Sequence, residues 1–568
     1  MKKAKRKIEV MNIVIILSVL LVLTLPFLNR ALAIDDIYVA SIADQIVKDP
    51  LDPYGFELQI QNRELGTAFD YTNPPLVSYY YALIQYFFGK NEIILHAFFM
   101  VFSITAAISM FYFSKKFTKW PLVAALLLIV SPIFIVPSHN FMSDFPVLAF
   151  FLLSILAFVY GINKENKFLL ILSGIFIGLA FLTKYSAIIL FPLLFVYAVL
   201  RKKVKYSLYL FVPVLLILIW SATEFYNYGN VHSTNVVFGW LPTNKISSNI
   251  IATLSGLIIP YGIANLSYIG GASLFFIFMV YPFVRKRKDV ILLSSLIAIN
   301  SLFAFVLYLM SANFISGQYS IFQLSMLIIF MTSSLFFIIK IIQFIAHPIY
   351  QILKNKRYDE LVVNKIFLGV WFFLGLIFHT FIIGGAARYL VIILPPMIFL
   401  FLMMVEENAR KYNIKMRSIT FILTTMIISS TIVSLAASVA DYQYAEVYRD
   451  FAQEIPHKYS ESRIFFTGHE GFKYYMEKKG NTFYDPRIQE LQEGDILIAP
   501  KIPIPKNLDH LKDNLILLDE IEYHTYFPVR TNNPGSHAGF YIYVNGLLPF
   551  SFSNMSLEIF KIYKFKEV

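Results

Sequence analysis

The sequence predicts a polytopic α-helical membrane protein of about thirteen transmembrane helices, with a small C-terminal extracytoplasmic α/β domain. Three observations predict it. Thirteen long apolar runs fill residues 10–438. The chain is 57% hydrophobic and 15% charged, too little charge for a soluble protein of 568 residues. Finally, the basic residues fall into every second gap between the runs.

A span needs about 20 apolar residues to cross about 30 Å of hydrocarbon. The runs lie at 10–28, 92–113, 120–137, 145–162, 168–183, 186–200, 206–223, 265–284, 290–311, 323–343, 366–384, 389–405 and 418–438. Those at 168–183 and 186–200 are short and joined by only two residues. Lys2, Lys3, Lys5, Arg6 and Lys7 precede the first run, and Lys115, Lys116 and Lys119 follow the second. Lys164 and Lys167, then Arg201, Lys202, Lys203 and Lys205, then Arg285 and Arg287 follow the fourth, sixth and eighth. Lys354, Lys356 and Arg357, then Arg410, Lys411, Lys415 and Arg417 complete the series. The positive-inside rule makes these gaps and the N-terminus cytoplasmic. The net charge of +12 is therefore topological, and the partner it implies is a lipid bilayer, with no nucleic acid. Asn29-Arg30 leads straight into acids without a small-residue cleavage site, so the first run reads as a retained span. A chain without cysteine has no disulfide and no thiol chemistry.

The division is residues 1–438 for the membrane domain and 439–568 for the C-terminal domain. Residues 31–91 form the first outer loop, with eight acids from Asp35 to Asp70. Ile34, Ile37, Ala40, Ile42 and Ile46 read as an amphipathic helix on the membrane surface, and Tyr79–Phe88 as a second. Residues 224–263 form another outer excursion with a re-entrant piece at 250–262. In the tail, Arg463–Phe466, Asp495–Ile498, Asn514–Leu518, Gly539–Val544 and Glu558–Tyr563 read as strands, and Gly471–Lys478 and Gln489–Leu491 as helices.

The candidate site residues are charges on the outer side. Asp35-Asp36 follows the first run directly, where an acid pair is either a solvated loop feature or a general base or metal ligand. Asp144 tops the fourth run, and either caps that helix or serves acid/base or metal-assisted chemistry. His139 nearby is a ligand, an acid/base group or an interfacial residue. Lys184 and Arg388 break the charge rule by lying outside. Each either snorkels to the surface or grips a phosphate. His379 reads as a buried, hydrogen-bonded helix residue. Asp35, Asp36, Asp144 and His139 together would suit a divalent cation, magnesium or manganese, if they converged. No Walker loop, GxGxxG or HExxH is present, so a lipid-linked phosphate donor fits better than a nucleotide.

Taken together, Asp35-Asp36, the Asn-Pro-Pro-Leu box at 73–76, Ser143-Asp144 with Pro146, Leu182-Thr183-Lys184 and Arg388-Tyr389 resemble the GT-C glycosyltransferases of the protein O-mannosyltransferase and lipid A aminoarabinose transferase type. The resemblance spans residues 30 to 400. It implies the GT-C fold, a polyprenyl-phosphate sugar donor and inverting transfer to a glycan, lipid or protein acceptor. It also implies Asp35 as base with Asp36 as fallback, Asp144 as a second acid, and Lys184 and Arg388 as the phosphate grip. Thr72 and Asn73 stand where aminoarabinose transferases carry an acid and a lysine, which argues against that donor and a lipid A acceptor. Phe465–Phe472 and Asn533–Phe540 resemble tails of bacterial members, implying either acceptor-facing loops or structural turns. Two rival functions remain. A lipid-linked glycan transporter would place its charges near the midplane, and a glycan polymerase or ligase would lack the acid pair.

Overall fold

The computed structural model describes residues 2–58, 66–71, 73–240, 259–272, 280–311, 318–355, 358–503 and 508–567. In hydrocarbon a chain has only its own carbonyls to satisfy its N–H groups, so every apolar run meets helix in its described part. Eight of the described helices are long and apolar enough to cross a membrane: Lys3–Phe27, Glu92–Ser114, Asp144–Lys164, Val204–Tyr228, Arg287–Ser311, Ile321–Lys354, Glu360–Phe381 and Met416–Lys458. Pro121–Ile129 and Pro132–His139 make a bent pair turned by 62°, broken where Pro132 supplies no N–H.

Among the described residues, some of the other runs are shorter or broken. The runs at 168–183 and 186–200 become the short apolar helices Lys167–Thr183 and Tyr185–Leu200. The run at 389–405 splits into a 3-10 turn, Ala387–Ile392, and the helix Leu394–Lys411. Thr72, Lys356, Arg357 and residues 250–258 of the expected re-entrant piece lie outside the described residues, and Ile259–Ala272 is a regular helix.

The basic gaps converge at one end of the bundle. Lys116 and Arg201 share Glu360 at 2.9 and 3.3 Å, Lys203 meets Glu165 at 2.7 Å, and Lys340 meets Asp289 at 2.6 Å. Helix Lys167–Thr183 lies close against Val212–Tyr228 because Gly174 and Gly178 share one face. A Cβ there would fall 2.5 Å from Val212 and 2.7 Å from Leu216. That contact holds Lys184, the residue ending the first of these helices.

The amphipathic stretch of the first loop is the helix Asp36–Lys48. It does not lie on the surface. Ile37, Ala40, Ile42, Ala43 and Ile46 are buried, because Leu76–Phe88 and Glu470–Lys478 pack on it. The tail folds around a five-stranded mixed sheet in the order Thr482–Phe483, Ile464–Phe466, Ile496–Pro500, Glu558–Phe565, Leu515–Tyr523. Phe451 stacks on Phe560 at 3.8 Å and fixes that sheet to the last long helix. Three expectations need correction. The boundary at 438 falls inside one continuous helix, Met416–Lys458. Gln489–Leu491 is not helical, and only Ala538–Gly539 is strand within the expected Gly539–Val544 run. The chain around 529–550 leaves the sheet because Val529, Leu548 and Phe550 find an apolar partner in Met326, Leu327 and Phe330 of the bundle.

A buried ionic network ties bundle and tail together. Arg30, fully buried, donates to Asp36 at 2.9 Å and to Asp441 at 2.7 Å. Tyr541 donates to Asp441 at 2.6 Å and receives Asn140 at 3.0 Å. Removing one member of such a set leaves an uncompensated buried charge, costing about 3–5 kcal/mol. Asp441→Ala is accordingly expected to lower the detergent-solubilised melting temperature markedly. An unchanged melting curve would show that the network contributes no net stability.

Candidate active site

Four charged side chains from four separate stretches of chain meet beside this network. Asp35 begins the first-loop helix, and its preceding turn is tight enough to hold Ile34 at φ 54°, a left-handed conformation unusual for a β-branched residue. That turn aims Asp35 at Arg388, whose Nη2 donates to it at 2.6 Å. Arg388 is presented by the 3-10 turn after Gly384-Gly385. Its Nη1 lies 3.9 Å from Asp144. Asp144 in turn accepts from Lys184 at 2.6 Å. Tyr389 forms the floor, with the Lys184 ammonium 4.2 Å above its ring and its hydroxyl 3.3 Å from Arg388.

Two acids and two cations in a chain of contacts make a charge-balanced group, as burial requires. Asp144 and Lys184 are buried, while the Asp35 side chain keeps 26% exposure. Asp35 is therefore the acid that an incoming molecule reaches. Two buried polar groups here have no hydrogen-bond partner among the described residues: Arg388 Nε, and both ring nitrogens of His379. His379 sits in a π-helical turn and stacks 6.3 Å from Tyr389, so the expectation that it is hydrogen-bonded is not met.

Asp36 and His139 point elsewhere. Asp36 accepts from Arg30, from Ala33 N at 3.1 Å and from Phe141 N at 2.8 Å, so its oxygens are occupied. Burial pushes its carboxyl up to about 6, against the pull of Arg30. The adjacent pair is split because successive residues at a helix start face different ways. His139 packs its ring against Phe27, tilted by 31° at 4.6 Å, with Nε2 3.3 Å from the Leu23 carbonyl. Among the described residues no three His, Asp or Glu side chains gather around a common point. With Asp35 and Asp144 each held by a cation, and Asp36 and His139 in other contacts, the donor set does not fit a divalent ion.

The Asn-Pro-Pro-Leu box has a local reason. Pro75 opens the helix Leu76–Phe88, and Asn73 reaches Ser143, 3.4 Å away, next to Asp144. Sequence reasoning missed Arg30, Asp441 and Tyr541, which meet each other across 100 residues or more of sequence. It also missed that the tail reaches the site. The Phe540 carbonyl accepts from Ala387 N at 3.0 Å, Gly385 accepts from Tyr543 N at 3.0 Å, and the Tyr541 ring lies 5.6 Å from the Arg388 guanidinium.

The site thus belongs to a polytopic helical bundle with a cation-held acid pair at one end, joined to a β-rich tail. Residues 72–225, short of half the chain, match the family model described as dolichyl-phosphate-mannose-protein mannosyltransferase. Among solved structures the chain is similar to ArnT from Cupriavidus metallidurans in the apo state. The identity is 12% and the TM-score 0.38, over 85% of this chain and 92% of that one. The same protein bound to undecaprenyl phosphate aligns at 13% identity and TM-score 0.38, over 89% of this chain and 96% of that one. No curated protein matches.

Proposed function

We propose that this protein transfers a sugar, with inversion, from a polyprenyl-phosphate donor to an acceptor hydroxyl or amine at the extracytoplasmic face. The observation that carries the reading is the Asp35–Arg388–Asp144–Lys184 group: a reachable acid beside two buried cations. In this reading Asp35 takes the proton of the acceptor as its oxygen or nitrogen attacks the anomeric carbon. The bond from that carbon to the phosphate oxygen breaks, and the electron pair leaves with the phosphate. Arg388 and Lys184 stabilise the developing charge, with Arg388 Nε and His379 as further donors. A phosphate leaving group needs charge stabilisation more than protonation, so one base suffices. A phosphate against Arg388 also competes with Asp35 for the guanidinium, which loosens the acid for its role as base. Asp144 keeps Lys184 in place, and Asp36 fixes the turn that carries Asp35. The positive-inside pattern supports a cytoplasmic N-terminus and an extracytoplasmic tail. A protein, glycan or lipid acceptor fits equally.

The test is donor consumption from a panel of radiolabelled polyprenyl-phosphate sugars, using membranes bearing wild type or Asp144→Asn. Turnover by wild type that falls in the variant at equal expression supports the reading and names the sugar. Wild type consuming no donor, while moving a lipid-linked glycan across vesicle bilayers, would make it a transporter.

A further inference from the structure

At the end of the bundle where the basic gaps converge, a cavity of about 200 Å³ lies between three helices. Helical spacing brings its wall together. Lys340 and Phe344 of Ile321–Lys354 stand at i and i+4, and Met404, Glu407 and Lys411 of Leu394–Lys411 at i, i+3 and i+7. Lys286, Lys288 and Asp289 come from the start of Arg287–Ser311 and the residue before it. The stretch that matches the family model ends at residue 225, so none of these side chains belongs to it.

The charges around this cavity do not balance. Four lysines, Lys286, Lys288, Lys340 and Lys411, line it against two acids, Asp289 and Glu407. Both acids are already taken. Asp289 accepts from Lys340 at 2.6 Å and from Lys286 N at 3.0 Å, and Glu407 accepts from Lys365 at 2.5 Å. Lys340 keeps only 11% exposure, so that pair is part of the wall. The ammonium groups of Lys286, Lys288 and Lys411 pair with no acid among the described residues. The positive-inside rule accounts for lysines in each gap, but it does not require separate gaps to empty into one cavity. Like charges gathered there repel each other, more strongly beside protein than in open water, and an anion between them relieves that cost. Two features select a lipid headgroup over a free anion. Phe344 and Met404 give the cavity an apolar side next to the ammonium groups. Ile291, one turn on from Lys288, is 56% exposed, as a surface facing acyl chains requires.

We propose that this cavity is a binding site for the phosphate headgroup of an anionic phospholipid. Lys286, Lys288 and Lys411 grip the phosphate, and the acyl chains leave past Phe344 and Met404. Basic pockets between membrane helices suit such headgroups. The bound lipid ties Arg287–Ser311 to Leu394–Lys411, and the site is independent of the sugar-transfer reading.

The test uses the full chain in a neutral detergent, titrated with dioleoyl phosphatidylglycerol, dioleoyl phosphatidylcholine or inorganic phosphate. Lysine acetylation is then read peptide by peptide. Phosphatidylglycerol is expected to protect Lys286, Lys288 and Lys411 several-fold and saturably, while Lys164 and Lys167 of another basic gap stay labelled. Absence of protection, equal protection of both sets, or equal protection by phosphatidylcholine overturns the proposal. Inorganic phosphate that protects as well as phosphatidylglycerol would make this a free-anion site and overturn the lipid assignment. The footprint is read on wild type and so needs no variant to fold. In the triple variant Lys286→Gln, Lys288→Gln, Lys411→Gln, phosphatidylglycerol binding is expected to weaken by about 10²-fold. An unchanged binding constant in a variant with the wild-type melting temperature also overturns the proposal.

Discussion

Asp35→Asn is expected to lower the rate of sugar transfer by about 10²–10⁴-fold, the span a lost general base produces. The substitution keeps the shape of the side chain, and Asp35 retains 26% exposure, so folding should survive it. The effect should fall on kcat. Arg388, which Asp35 holds at 2.6 Å, would lose its anionic partner and become more available to the donor phosphate. Donor KM is therefore expected to stay level or drop. A variant with normal kcat and a raised KM would instead assign Asp35 to orienting Arg388, and would remove the base from the mechanism.

The second large effect belongs to Arg388. Hydrogen bonds to charged groups contribute about 1.5–3 kcal/mol, so Arg388→Ala is expected to raise donor KM by about 10–10²-fold. It should also cost stability, since Asp35 loses its cation and Asp144 its second one. Arg388→Lys distinguishes fork from charge. A lysine supplies a point charge but cannot hold Asp35 and a phosphate together in fixed geometry. Partial activity with a weakened donor KM is the expected result. Full activity in the lysine variant would show that only the charge matters. Equilibrium binding of undecaprenyl phosphate to the purified variants checks the same point without chemistry.

Much of the membrane half was legible because its signals are local. An apolar run becomes a helix without information from elsewhere, and a charge that breaks the alternation of basic gaps stands out singly. Lys184 and Arg388 were found that way, and they meet Asp144 and Asp35 in the fold. The neighbours Asp35 and Asp36 were not separable by sequence. Which of two adjacent acids faces a site and which a buried arginine depends on a backbone turn at Ile34 that no pattern announces. His139 lies only five residues before Asp144 in sequence, but its ring is taken up by Phe27.

The tail shows the other limit. The sheet strands at 464–466, 496–500 and 558–565 follow from short runs rich in Ile, Leu, Phe and Tyr, and so were readable. The return of Phe540, Tyr541 and Tyr543 onto the bundle was not, because those contacts are stitched by backbone hydrogen bonds to Gly385 and Ala387. What the sequence by itself determined is which stretches become apolar helices and which charges stand out against the alternation of basic gaps, since the cost of burying charge in lipid acts residue by residue. Only the tertiary structure decided which charges pair, because a buried ion is tolerable only beside a partner, and partners such as Arg30 and Asp441 lie hundreds of residues apart.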